Sequence, residues 1–216
     1  MEKDRTLDEG ALWIDGAVLG MMKGDFVDSV GYLFDGHGKR VGEMARFLMA
    51  MLPEEIQDET YPGSIELGVA GRLHDIGKAM TPKEILDFPG KLSPEQRHIM
   101  NHHAQDGLEV LDKSGFKFSP KVRDGIVGHH EKYNGMGYPG NLKGTDIPVT
   151  ARLLAIADVV DALMSPRAYK EGLDEKTVRG ILEKEKGEAF DPVFCECALQ
   201  HLGPMMEIGR RANLVD

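Results

Sequence analysis

An all-α fold is predicted by three features of the sequence. Apolar residues recur at three- and four-residue steps, helix-start signatures repeat along the chain, and alternating strand patterns are nearly absent. No self-similar period or low-complexity segment interrupts residues 41–202, which read as one folding unit.

The first helix of that unit is expected from near Gly38 to Met51, with Val41, Met44, Ala45, Leu48 and Leu52 on one face and Pro53 closing it. A second starts after Ser64 and carries Ile65, Val69, Leu73 and Ile76. Thr81-Pro82-Lys83-Glu84 and Ser93-Pro94-Glu95-Gln96 each supply a hydroxyl cap, a proline at the first helical position and Glu or Gln at the third. Ser119-Pro120 and Asp191-Pro192 repeat the cap-plus-proline start, and Asp174 caps a helix holding Val178, Ile181 and Leu182. Residues 133–148 break the pattern, because four glycines and two prolines cannot form a helix there. This segment follows His129-His130 and leads into a helix carrying Asp158, which favours a role at a site over a loose surface excursion.

The 216 residues are 41% apolar and 29% charged, enough for a real core and against disorder. Thirty-six acidic against 26 basic residues give a net charge of -10, which repels a polymeric phosphate backbone, so DNA and RNA binding are not expected. The longest apolar run, around Leu153 to Ala157, is far too short to span a membrane, and the first twenty residues are charged. The expectation is a soluble protein without a signal peptide. Cys195 and Cys197, the only cysteines, lie two apart in a helical pattern where a mutual disulfide is badly strained, which suits a reducing cytoplasm. The 12 methionines read as core filler, and Glu183-Lys184-Glu185-Lys186 as a solvated helix face.

Eight histidines occur, several of them beside another ligand-bearing residue. His74-Asp75 stands at the polar end of an apolar helix face, joining an imidazole to a carboxylate that can bridge two cations. Adjacent residues on a helix are about 100° apart, so His129 and His130 can meet one metal from two directions or two neighbouring metals. His98 and His102, four apart, form a rival pair on one helix face, and His201 reads as structural or surface.

His37-Gly38-Lys39-Arg40-Val41, Leu73-His74-Asp75-Ile76-Gly77-Lys78, Met100-Asn101-His102-His103 with Gly107, His129-His130-Glu131, Gly137-Tyr138-Pro139 and Ala157-Asp158-Val159-Val160-Asp161-Ala162-Leu163 occur in the order seen in HD-GYP domains. Ser165-Pro166-Arg167-Ala168-Tyr169-Lys170 and Phe190-Asp191-Pro192 extend the match, so the resemblance covers roughly residues 37–200. It implies an HD-superfamily helical bundle with a metal centre in its core, occupying residues 34–216 after an N-terminal helical extension at 1–33. It further implies a cyclic di-GMP phosphodiesterase that yields the linear dinucleotide pGpG, with GMP left open as the final product.

Block by block, the resemblance makes His37, His74, Asp75, His103, His129, His130 and Asp158 the metal ligands, with Asp75 bridging two divalent ions, iron or manganese. His103 is chosen over His102 by the four-residue step to Gly107 and the three-residue step from Met100. Two such ions lower the pKa of a shared water, giving a bridging hydroxide for attack on phosphorus. Lys78 is expected to stabilise phosphate charge, Tyr138, Arg167 and Lys170 to contact the dinucleotide, and Asp161 to orient a ligand or Lys78 from behind.

Leu33 stands where members with three metals carry a glutamate, which argues for two metals. Asn134 replaces a frequent aspartate before the Gly-x-Gly-Tyr-Pro run, and Pro139-Gly140-Asn141-Leu142 departs slightly from the usual continuation, leaving substrate selectivity open. Residues 1–33 hold Leu12, Trp13, Val18, Leu19 and Met22 at helix-like spacing and are expected to pack on the domain or form a dimer surface. Two other functions fit the same residues. One is a non-catalytic module that binds cyclic di-GMP or docks a signalling protein, and the other is a hydrolase of a different cyclic dinucleotide.

Overall fold

The computed structural model describes residues 36–115, 117–165 and 172–212. Ten α-helices make up most of these residues, and their only β pairing is an isolated bridge between Lys186 and Phe190. They are α1 (His37–Met51), α2 (Ser64–Leu73), α3 (Lys83–Leu86), α4 (Pro94–Asn101), α5 (His103–Lys113), α6 (Pro120–Gly128), α7 (Val149–Met164), α8 (Glu175–Glu185), α9 (Pro192–Gln200) and α10 (Leu202–Ala212). Short 3₁₀ turns occupy Glu54–Ile56, Ile76–Met80 and Gly144–Asp146.

Helix α7 is the axis of the bundle. Leu153, Leu154, Ile156 and Val160 are fully buried on it, and it touches α1, α2, α6, α8, α9 and α10. Burying such side chains is the main favourable contribution to folding, about 1.5–3 kcal/mol each. Met44, Leu48, Leu67, Ile126, Phe194 and Met205 complete the same core, while Met51, Met80 and Met136 are exposed, so not every methionine fills it. No described helix is long and apolar enough to cross a membrane.

Helix α1 lies very close to α2 along a glycine seam. A Cβ on Gly71 would stand 2.3 Å from the Gly42 Cα, and one on Gly38 2.8 Å from the Arg72 carbonyl oxygen. Only hydrogen fits there, and the approach sets the start of α1, with His37, beside the end of α2, with His74; their ring centroids are 5.1 Å apart. The expected face of α2 holds at Val69, which packs against the core, and at Leu73, and departs from expectation at Ile65. Leu67, Ala70, Gly71 and Leu73 turn inward, Ile65 is 67% exposed in the first turn, and Ile76 belongs to the following 3₁₀ turn.

Four of the expected caps form. Ser93 and Gln96 exchange a capping box, Ser119 accepts from the Val122 amide, Asp174 from Thr177, and Asp191 from Val193 and Phe194. Thr81 does not cap α3. Its amide instead closes the 3₁₀ turn on the Lys78 carbonyl, Pro82 takes the cap position, and the buried Thr81 hydroxyl has no hydrogen-bond partner. Cys195 and Cys197 are free and buried in α9, and burial pushes the Cys195 thiol up to about 11.

Candidate metal centre

Three imidazoles are fixed by the same local device. The last carbonyls of a helix lack intrahelical partners. His74 at the end of α2, His103 just past the end of α4 and His129 at the end of α6 each bond Nδ1 to the carbonyl three residues back, at 2.7 Å to Gly71, Met100 and Ile126 respectively. A ring that donates from Nδ1 leaves Nε2 unprotonated, as a metal ligand requires.

Those Nε2 atoms converge on Asp75. Its Oδ1 lies 3.4 Å from His103 Nε2 and 3.9 Å from His129 Nε2, while Oδ2 lies 3.5 Å from His74 Nε2 and 4.0 Å from His37 Nε2. The carboxylate therefore offers one oxygen to each of two ligand groups, His103 with His129 and His130 on one side, His37 with His74 on the other. Asp158 from α7 approaches the second group, 3.2 Å from His37 and 3.8 Å from His74. His98 and His102 meet edge to face outside both groups, their centroids 4.9 Å apart.

The donor set fits cations. His103 and His129 face each other Nε2 to Nε2 at 3.3 Å while both donate from Nδ1, so two lone pairs meet unless a positive charge lies between or beside them. His74 Nε2 is buried with no hydrogen-bond partner. A buried polar atom left unmatched costs about 1–3 kcal/mol, and coordination would remove that cost.

Electrostatics divides the cluster in the same way. Burial, with smaller repulsion from neighbouring histidines, pushes His129 well below its ordinary range and His130 down to about 4, keeping both neutral. Burial also opposes a charge on His37, but hydrogen bonds and attraction from Asp158 and Asp161 raise it to about 10. Asp75 and Asp158 stay ionised despite burial, Asp75 through His74, Lys78 and its other imidazole neighbours, Asp158 through His37 and His74.

Behind the ligand atoms, Asp161 accepts from His37 Nδ1 at 2.7 Å and is itself held by Arg40, Nε to Oδ1 at 2.7 Å and Nη2 to Oδ2 at 3.0 Å. Of the two orienting roles expected for Asp161, its contacts are with His37. Lys78 reaches Asp75 Oδ2 at 2.5 Å, next to the ligand atoms. The Tyr138 ring lies against His130 with centroids 4.8 Å apart. Arg167 and Lys170 fall outside the described residues, as do Leu33 and the 1–33 extension.

Two residues of the quoted motifs had no role in the sequence reading. Arg40 follows His37 by one helical turn, a spacing that places it on the same face. Glu131 is 4% exposed and accepts from the Gly140 and Leu142 amides at 2.5 and 3.1 Å, anchoring the glycine-rich segment. A carboxylate directly between a histidine pair and a loop rich in free amides was the available signal.

The profile of the family described as HD domain matches residues 31–193. The chain belongs to the HD domain family. This HD domain is 40% identical over 147 residues to the 3'3'-cGAMP-specific phosphodiesterase 2 of Vibrio cholerae, covering 68% of this chain and 28% of that protein. It is 42% identical over 137 residues to a probable cyclic di-GMP phosphodiesterase of the same organism, covering 60% of this chain and 31% of the relative. The chain thus spans less than a third of the length of these two relatives. An HDG"Y"P protein from Bdellovibrio bacteriovorus shares the fold, with a TM-score of 0.53 at 20% identity over 77% of this chain and 51% of that one. The all-helical HD-type bundle, with its histidine and aspartate cluster in the core, therefore matches the HD-GYP resemblance of the sequence.

Proposed function

We propose that residues 34–216 form an HD-GYP domain that hydrolyses a cyclic dinucleotide, cyclic di-GMP first, to the linear pGpG in the cytoplasm. The observation that carries the reading is Asp75, one oxygen turned to each of two ligand groups. His103, His129 and His130 would hold one divalent ion, His37, His74 and Asp158 the other, and Asp75 both; the HD-GYP resemblance makes iron or manganese the expected metal, in a donor set that zinc would also fit. Such ions supply a water of lowered pKa and draw charge from phosphoryl oxygens.

The chain's own groups do the rest. Asp161, braced by Arg40, keeps His37 in its ligating orientation. Lys78 brings a positive charge to the edge of Asp75, where it would offset negative charge building on a phosphoryl group, and Tyr138 lies against His130, where it would contact the dinucleotide. Arg167 and Lys170 carry the charge expected to hold the second phosphate.

A second substrate, 3'3'-cGAMP, is favoured by the 40% identity to a relative named for it. Protein loaded anaerobically with ferrous iron or manganese, with metal counted per chain and cyclic di-GMP and 3'3'-cGAMP followed by chromatography beside Asp75→Ala, tests the reading. Turnover lost in Asp75→Ala supports it. A metal-loaded protein that binds either dinucleotide without cutting it would point to the non-catalytic module.

A further inference from the structure

We infer that Glu131 is a positioning residue, whose buried carboxylate holds the 137–142 loop so that Tyr138 stays against His130. The inference rests on the proposed dinucleotide hydrolysis for its kinetic consequence, and on geometry alone for its structural one.

Glu131 follows His129 and His130 directly, so one stretch of backbone carries two site imidazoles and the loop's anchor. A carboxylate is an acceptor only, and both oxygens of Glu131 are used, Oε1 by the Gly140 amide and Oε2 by the Leu142 amide. The loop is also laid directly on the backbone beneath it. A Cβ on Gly137 would stand 2.3 Å from the Lys132 nitrogen and 2.5 Å from the Glu131 Cα, and the Tyr138 amide donates to the His130 carbonyl at 3.2 Å. Within the loop, the Asn141 side-chain amide donates to the Gly137 carbonyl.

The segment's other attachment is separate. Tyr133 and Asn134 donate from their amides to the Ala189 and Glu188 carbonyls, at 3.0 and 2.8 Å, beside the start of α9. Loss of the Glu131 anchor should therefore leave the end that bears Tyr138 held by the single amide bond from Tyr138 to the His130 carbonyl, while the end at Tyr133 and Asn134 stays tied to the bundle. Tyr138 would then lose its fixed place beside His130, and with it a contact made equally to bound substrate and transition state, which appears in KM rather than kcat.

Glu131→Gln is the probe, since it keeps size but turns an NH₂ group toward one of the two amide donors. The expected result is a KM for cyclic di-GMP raised about tenfold with kcat within about threefold, metal content unchanged, and faster hydrogen exchange at the 137–142 amides but not in α6. Combined with Tyr138→Ala, the effects on KM should be far from additive, because both changes remove the same contact. Unchanged loop exchange and KM would overturn the inference, as would loss of metal, which would place Glu131 behind His130 instead. If the unaltered protein cuts no cyclic dinucleotide, the proposed function fails, while faster loop exchange in Glu131→Gln would still support the anchor. Glu131→Ala, which removes both acceptors, should act in the same direction and more strongly; should it fail to fold, the exchange comparison on Glu131→Gln still decides.

Discussion

His103 and His129 point their Nε2 atoms at each other across 3.3 Å, and each ring is locked from behind by a main-chain carbonyl. Neither ring can turn away without giving up its Nδ1 bond. A cation bound at this point would therefore stabilise the native state, since the unfolded chain offers no comparable site. Stripping the protein with a chelator is expected to lower its Tm by several degrees, and readdition of manganese to restore it, as read by circular dichroism. In His129→Ala the restored increment should shrink and the metal count fall.

Arg40 bears on the metal centre through Asp161, which it grips by two hydrogen bonds. Arg40→Ala should free the Asp161 carboxylate, loosen His37 and weaken metal binding at that side by about 10- to 100-fold. Arg40→Lys, with a point charge in place of the planar fork, should fall between the two. Metal titration monitored by calorimetry measures both.

Gly77 has no room for a side chain. A Cβ there would stand 1.9 Å from the His103 carbonyl oxygen and 2.4 Å from the Gly107 nitrogen, and these are backbone atoms that cannot rotate aside. Gly77→Ala is expected to cost about 3 kcal/mol in denaturant unfolding and to push Asp75 and His103 apart. A variant as stable as the parent would show that the turn after Asp75 does not pack on α5 this closely.

The metal-free protein should be most stable near pH 6.5. His130, buried and held down to about 4, stays neutral in the fold, so its contribution is complete above 6.5 and is lost as the unfolded chain takes up its proton between 6.5 and 4. His37 runs the other way. Raised to about 10 by Asp158 and Asp161 against the effect of burial, it contributes fully below 6.5 and loses that contribution as pH climbs toward 10. Urea unfolding of chelated protein across pH 4 to 10 should trace a single maximum, and a flat curve through 6.5 would contradict the paired shifts.

Helix starts were legible in the sequence because a cap is local, so Ser93, Ser119, Asp174 and Asp191 could be recognised from the residues beside them. The inward face of α2 was legible in part: Val69 and Leu73 pack inward as their spacing suggests, while Ile65 is exposed and Gly71 sits in the seam with α1, a contact that no local spacing encodes. Thr81 misled because the helix starts one residue later than its signature suggests, so that Pro82 takes the cap position and the Thr81 hydroxyl caps nothing. At the site, the step from Met100 singled out His103, and in the fold that same step is the Nδ1 bond to the Met100 carbonyl. Arg40 escaped notice because its partner Asp161 lies 121 residues away, a pairing no local pattern encodes.

The close seam between α1 and α2 and the central position of α7 place the cluster where the chain's distant parts meet, with His37 and Asp161 joined across 124 residues. Ions shared by these parts would act as a clasp, and to open the bundle would mean breaking coordination at several helices in one step. The loaded protein should then differ from the stripped one less in shape than in lifetime, resisting proteases long after the stripped form has been cut.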